Sequence, residues 1–173
     1  MTLLRRVLDT LYLIGGIIAS VFLMAILSII VLQMLARWTG HVFAGATDYA
    51  GYCMAAASFL AFAYALNHGA HIRVSLFLSA LGRHRWWGEV FCFGIGTAVA
   101  TWFAWYAIRG NHISWRWTEL SQGLDATPMW IPQLSMSIGA VLLAIAFWDN
   151  LVRLIFTGSH GITTDLVDQS QGE

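Results

Sequence analysis

The sequence predicts an all-α integral membrane fold: four transmembrane helices, with an amphipathic interfacial helix between the second and third. Three observations predict it. Hydrophobic residues make up 58% of the 173 and charged residues only 10%, against about 45–50% and about 25% in an ordinary soluble domain. Four stretches lack Asp, Glu, Lys, Arg and His and reach the roughly 20 apolar residues that a hydrocarbon core about 30 Å thick requires. None of the four alternates with period 2. In lipid, where backbone groups must be satisfied internally, they are therefore helices rather than barrel strands.

The length allows one domain, predicted as a four-helix membrane domain over 1–156 and a short mobile tail rich in Gly, Ser, Thr, Asp and Gln over 157–173. Nine basic and nine acidic side chains give a formal net charge of zero, which excludes a nucleic-acid binder with its basic excess. Two cysteines and two prolines exclude disulfide scaffolds and collagen-like chains.

The first span is predicted over about 10–36, between Asp9 and Arg37. Arg5 and Arg6 precede it, as in a signal peptide, but its apolar stretch far exceeds the roughly 7–15 residues of a signal core, so it is read as a permanent span. The second runs over about 49–67, after Asp48 and before His68, and the third over about 90–108, between Glu89 and Arg109. The fourth is charge-free from Ala126 to Trp148, between Asp125 and Asp149, and as a helix continues over about 127–155; Thr127 would cap it and Pro128 would occupy its first position, where no donor is needed. Pro132, a turn further in, should kink it. This helix and the first are longer than the hydrocarbon is thick, which implies tilt.

Between the second and third spans, the segment over about 72–87 places Val74, Phe77, Leu78, Ala80 and Leu81 on one helical face and Ser75, Ser79, Gly82 and Arg83 on the other. It is too short and polar to span, so it would lie flat at the interface, with His68-Gly69-Ala70-His71 as the bend leading into it. Four spans put both termini on one side. Arg5, Arg6, Arg73, Arg83, Arg85 and Arg153 share that side, and Arg37, Arg109 and Arg116 lie on the other. The excess places the termini in the cytoplasm. Trp86, Trp87 and Trp148 then mark the inner interface, and Trp38, Trp105, Trp115, Trp117 and Trp130 the outer one, where indole meets both lipid and water.

The chemistry is defined mainly by what the spans lack. Ion-coupled pumps and proton relays place ionisable groups at mid-membrane depth, and no charge-free stretch here supplies one. A membrane-anchor redox subunit of cytochrome type remains an alternative, yet its haem would need inward-facing axial histidines, and all six histidines fall outside the predicted spans. A small self-assembling transporter is the other alternative. His68 and His71 share a helical face but read better as part of the bend than as a metal pair. There is no CxxC, HExxH, GxSxG or glycine-rich phosphate loop, so no catalytic residue, cofactor site or metal site is expected. Cys53 and Cys92 read as packing residues. Small residues every fourth position, Ala57, Ala61 and Ala65 in the second span and Gly96, Ala100 and Ala104 in the third, would let helix backbones approach closely.

Two segments carry a family resemblance. Ala61-Phe62-Ala63-Tyr64-Ala65-Leu66-Asn67-His68-Gly69-Ala70-His71-Ile72-Arg73-Val74 and Pro128-Met129-Trp130-Ile131-Pro132-Gln133-Leu134-Ser135-Met136-Ser137-Ile138-Gly139 resemble the signature of the small membrane subunit of TRAP transporters, the DctQ family. Ser75, where Asp is common, and Ser137, where a second Pro is common, depart from the pattern. The resemblance implies a tripartite, sodium-driven symporter that imports organic anions such as carboxylates or acidic sugars across a bacterial inner membrane. Its small subunit would be a scaffold for a large elevator-type membrane subunit, served by a periplasmic substrate-binding protein. In that setting His71, Arg73, Arg83 and Arg85, with Trp86 and Trp87, are expected to anchor the flat helix on membrane phospholipids. Arg37, Asp48, Arg109, Arg116, Glu119 and Asp125 are the candidates for docking the periplasmic protein. Asp149 and Arg153, four apart, would pair at little energetic gain.

Overall fold

A computed structural model describes residues 2–41, 44–67, 85–123 and 126–157. Within them the chain forms four helices, α1 (Thr2–Trp38), α2 (Ala46–Asn67), α3 (Arg85–Trp117) and α4 (Trp130–Thr157), each long and apolar enough to cross a membrane. Among the described residues there is no strand, only an isolated bridge between Leu120 and Pro128. The connector over 68–84, which includes most of the expected interfacial helix, lies outside the described residues, as does the tail over 158–173.

The spans expected from the sequence correspond to the four helices, with differences at the ends. Charges bounded the expected third span at 90–108, whereas α3 has 33 residues and continues through Glu89 and Arg109. Charge-free length therefore understates it: helical hydrogen bonding does not stop where hydrocarbon does. Residues 85–87, assigned to the interfacial helix, are the first turn of α3. At α4 the chain becomes helical at Trp130, because Pro128 is held in the bridge with Leu120. Pro132 thus falls in the first turn, where an N–H has no intrahelical acceptor to lose. The kink expected there loses its cause.

The helices stand in a row, α1 beside α2, α2 beside α4, and α4 beside α3. Contacts between Phe59 and Gly139 at one level, and Asn67 and Asn150 at another, make α2 and α4 parallel. Contacts of Ala107 with Ser137 and of Gly96 with Phe147 make α3 antiparallel to α4. The chain's described ends, on α1 and α4, thus lie at the same end of the bundle as Asn150.

Lipid tails provide no hydrophobic drive for helix association, so close packing must supply it. The seams show how. Between α3 and α4, Ala100, Ala104 and Ala107 meet Ala140 and Ala144, which gives the expected Gly96/Ala100/Ala104 stripe its partner. Ser137, at the position where the resemblance expects proline, donates across this seam to the Ala107 carbonyl at 3.1 Å. On α2 Ala56, Leu60, Ala63 and Leu66 are buried beside the expected stripe. Of the expected stripe, Ala57 is buried and Ala61 half-buried, and both line the groove toward α1. Tyr12 of α1 joins Ala63, Leu66 and Ala146 in a second apolar cluster.

The tightest approach is α4 on α2. A Cβ on Gly139 would stand 2.5 Å from both the carbonyl carbon and the oxygen of Phe59, so the backbones meet there with no side chain between them. At Gly96 the same atom would meet the ring edge of Phe147 at 2.6 Å, an obstacle that can rotate away. Gly51 faces open space. Gly139→Ala should therefore force α4 from α2 and lower stability by about 1–3 kcal/mol, read as a fall in Tm of the detergent-solubilised protein. Gly96→Ala should lose less, and Gly51→Ala should be neutral or gain from better helix propensity. Equal Tm values for all three would disprove the backbone-contact account of the α2–α4 seam.

Candidate functional site

At the Asn150 end, α2 and α4 close on a polar clasp. Asn150 is fully buried, and its side-chain amide donates to Asn67 Oδ1 at 2.8 Å and to the Ala146 carbonyl at 2.8 Å. Such inter-helix hydrogen bonds within a membrane contribute on average about 0.6 kcal/mol. Tyr12 lies at the same junction, 3% exposed, within electrostatic range of Asp149, Asp9 and Arg153. Asp149 and Arg153 do pair, at 4.0 Å and partly exposed. Sequence reasoning missed the clasp because asparagine carries no formal charge and both residues sat at predicted span ends. The available signal was an uncharged amide at the same end of two adjacent spans.

Of the residues expected to anchor the interface, His71, Arg73 and Arg83 lie outside the described residues, and Arg85 opens α3. Trp86 and Trp87 come next as an edge-on pair, centroids 5.0 Å apart, with Trp87 68% exposed. Glu89, one turn on, is buried at 6% exposure and engaged with a partner. Sequence reasoning had used it only as a boundary charge.

The opposite end carries the expected docking residues. Arg37 is exposed in the last turn of α1, and Asp48 is half-buried in the first turn of α2 and already engaged. Arg109 and Arg116 are exposed along α3, and Glu119 is exposed just beyond it. Asp125 lies outside the described residues. Because α1 and α3 occupy opposite edges of the row, Arg37 and Arg116 belong to different edges and do not form one cluster.

The chain leaving α3 is nonetheless well tied. Thr118 turns it at a φ of 46°, and the Glu119 N–H reaches back to the Ser114 carbonyl at 3.2 Å. The Ser114 hydroxyl donates to Glu119 Oε2 at 2.8 Å. Ser121 N–H donates to the Thr127 carbonyl at 2.8 Å, and Met129 N–H to the Glu119 carbonyl at 2.9 Å, on either side of the Leu120–Pro128 bridge. The Tyr52 hydroxyl of α2 donates to Ser121 Oγ, and Trp115 meets Trp130 edge-on at 4.8 Å. The result is a braced shelf presenting Arg116, Trp117, Glu119 and Leu120 outward.

The arrangement offers surfaces for association. Among the described residues no three His, Cys, Asp or Glu side chains gather in a way that could hold a metal ion, and both cysteines are free thiols. The polar groups at each end of the row brace helices and loops, and the apolar faces between them match lipid or other helices.

The comparisons agree with that character. A family model described as the DctQ component of tripartite ATP-independent periplasmic transporters matches residues 26–157, a range reaching from the C-terminal third of α1 to the end of α4. Neither a curated protein nor a solved structure matches the chain significantly. With most of its length covered, and with four apolar helices joined through small-residue seams, the chain belongs to the DctQ family, the small membrane component of TRAP transporters.

Proposed function

We propose that this chain is the stationary scaffold of a sodium-driven importer of organic anions, carboxylates or acidic sugars, in a bacterial inner membrane with both of its termini in the cytoplasm. DctQ proteins in general work with a large membrane subunit and a substrate-binding protein. On this reading the large subunit carries the sodium and substrate sites and moves elevator-fashion, while the small one stays still beside it.

The observation that carries the scaffold role is the filled interior. Along the α2–α4 and α4–α3 seams the helices meet directly on Gly, Ala and Ser. A moving or conducting element needs polar groups and space at mid-depth. A support needs rigid seams and broad outer faces, and this chain has both. The arginine excess on the side of Arg5, Arg6 and Arg153 supports cytoplasmic termini.

Purification of the tagged chain from its native membranes in mild detergent should recover a stoichiometric, much larger polytopic protein, identified by mass spectrometry. A stable homo-oligomer without that protein, active in uptake when reconstituted alone, would favour the self-assembling transporter instead. A Soret band in the purified material would favour the redox subunit.

For the inner interface we propose that His71, Arg73, Arg83 and Arg85 hold phospholipid phosphates, with Trp86 and Trp87 seated at headgroup level. Arginine suits this because its planar fork donates two hydrogen bonds at once. The Arg83→Ala/Arg85→Ala double variant should purify with less bound phospholipid and a lower yield of the complex. Unchanged lipid content and yield would end the anchoring assignment.

For the outer face we propose that the braced shelf, with Arg116 and Glu119, receives the periplasmic protein, with Arg37, Asp48, Arg109 and Asp125 as further docking candidates. Charges at the rim of an interface steer encounter more than they add affinity, and beyond about 8 Å they are screened at physiological salt. The association rate of the two proteins should therefore fall as salt is raised from 50 to roughly 300 mM, with a shallower dependence in Arg116→Ala. A rate indifferent to salt would count against steering by these charges.

A further inference from the structure

α3 is an edge helix. It buries one stripe, through Thr97, Ala100, Ala104, Ala107 and Ser114, and leaves the remainder of its circumference bare. In the middle of that bare face stand Trp102, Trp105 and Tyr106, exposed by 69%, 68% and 53%, with Trp102 and Tyr106 stacked at 5.4 Å. Beside them runs a groove of about 560 Å³, floored by Gly94, Thr97, Ala98 and Thr101 and closed on the other side by Trp148 and Leu151.

Depth makes these aromatics unusual. Trp102 lies within the charge-free stretch between Glu89 and Arg109, about 5 Å of helix from its centre at 1.5 Å per residue. Indole normally collects at the two interfaces, where its N–H meets water. In hydrocarbon an N–H without an acceptor is costly. Trp148 shows the solution inside this chain, donating to Thr101 Oγ1 at 3.2 Å. Among the described residues Trp102 Nε1 makes no such hydrogen bond. Trp102 therefore presents a donor without a partner among those residues, at a level where lipid tails offer no acceptor.

The other edge differs. The bare face of α1 is aliphatic, with Ile14, Ile18, Val21, Met24 and Leu27. In the groove of about 520 Å³ between α1 and α2, Ser20 and Ser58 already donate to the carbonyls of Gly16 and Met54 on their own helices. Nothing on that side asks for an acceptor, so acyl chains satisfy it.

We propose that the outward face of α3, centred on Trp102 and the neighbouring groove, is the seat of a transmembrane helix of the large subunit, one that offers a carbonyl or hydroxyl acceptor to the Trp102 indole at mid-depth. This rests on the scaffold reading, since it assumes that a large subunit is present. The small-residue floor admits a helix ridge at close range, and the aromatic walls flank it. The acceptor makes the contact specific to protein, where an aliphatic face would accept lipid equally well.

The test uses the whole complex in native membranes. A photo-reactive benzoylphenylalanine in place of Ala98 or Trp105 should cross-link to the large subunit, whereas the same group replacing Val21 or Met24 on α1 should label lipid. Trp102→Phe, which keeps an aromatic ring and removes the N–H, should lower recovery of the large subunit about threefold, as loss of a mid-membrane hydrogen bond implies. Cross-links to the large subunit from Val21 or Met24 but not from α3 would overturn the placement and leave the scaffold role standing. Cross-links from α3 to a second copy of this chain, or to lipid alone, would overturn the occupant. Full recovery with Trp102→Phe would overturn the acceptor. Absence of any large subunit from the membranes would instead defeat the scaffold reading, and this assignment with it.

Discussion

The contact between Gly139 and the backbone of Phe59 is the constraint on which the rest of the bundle depends. It joins the two inner helices of the row, and each outer helix packs mainly on one of them. With a Cβ 2.5 Å from a carbonyl carbon excluded, only glycine lets α4 lie so close to α2. That closeness in turn brings Asn150 to Asn67 and fixes the face of α4 that is left for α3. In lipid, where burial of apolar surface supplies no net drive, dispersion at such seams and a few inter-helix hydrogen bonds carry the association.

Much of this was legible in the sequence, and the reasons differ by element. The existence of four spans follows from composition alone, because the bilayer sets a minimum length that charge-free stretches either reach or miss. The α3 stripe was legible because small residues at fourfold spacing have few uses in a membrane helix other than close approach. The α2 stripe was half right. Ala57, Ala61 and Ala65 show the spacing, yet Ala56, Leu60 and Ala63 make the tighter face, and only the identity of the neighbouring helix distinguishes the two. The row order α1–α2–α4–α3 was not legible, since nothing in a chain of four similar helices states which are neighbours.

Ends were the least readable part. Charges such as Glu89 and Arg109 read as boundaries, but a helix continues past them if its backbone bonds continue. Pro132 read as a kink because its distance from Pro128 suggested a second turn. The bridge that holds Pro128 outside the helix could not be foreseen from local sequence. The candidate surfaces divide similarly. Interface tryptophans and rim charges are visible by type, whereas the bracing of the shelf by Tyr52 and Ser121, 69 positions apart, belongs to tertiary structure.

The parallel pairing of α2 with α4 also bears on biogenesis. The α1–α2 and α4–α3 contacts are between helices adjacent in sequence and can form as each hairpin leaves the insertion machinery. The α2–α4 seam cannot, because α4 is the last span to be made. Until it arrives, the carbonyl of Phe59 and the small face of α2 must wait against lipid, and α3 has no hairpin partner. The long-range step is therefore the final one, in keeping with the slow closure of non-local contacts. A chain that stops short of Gly139 would leave a first hairpin whose principal binding face is never covered.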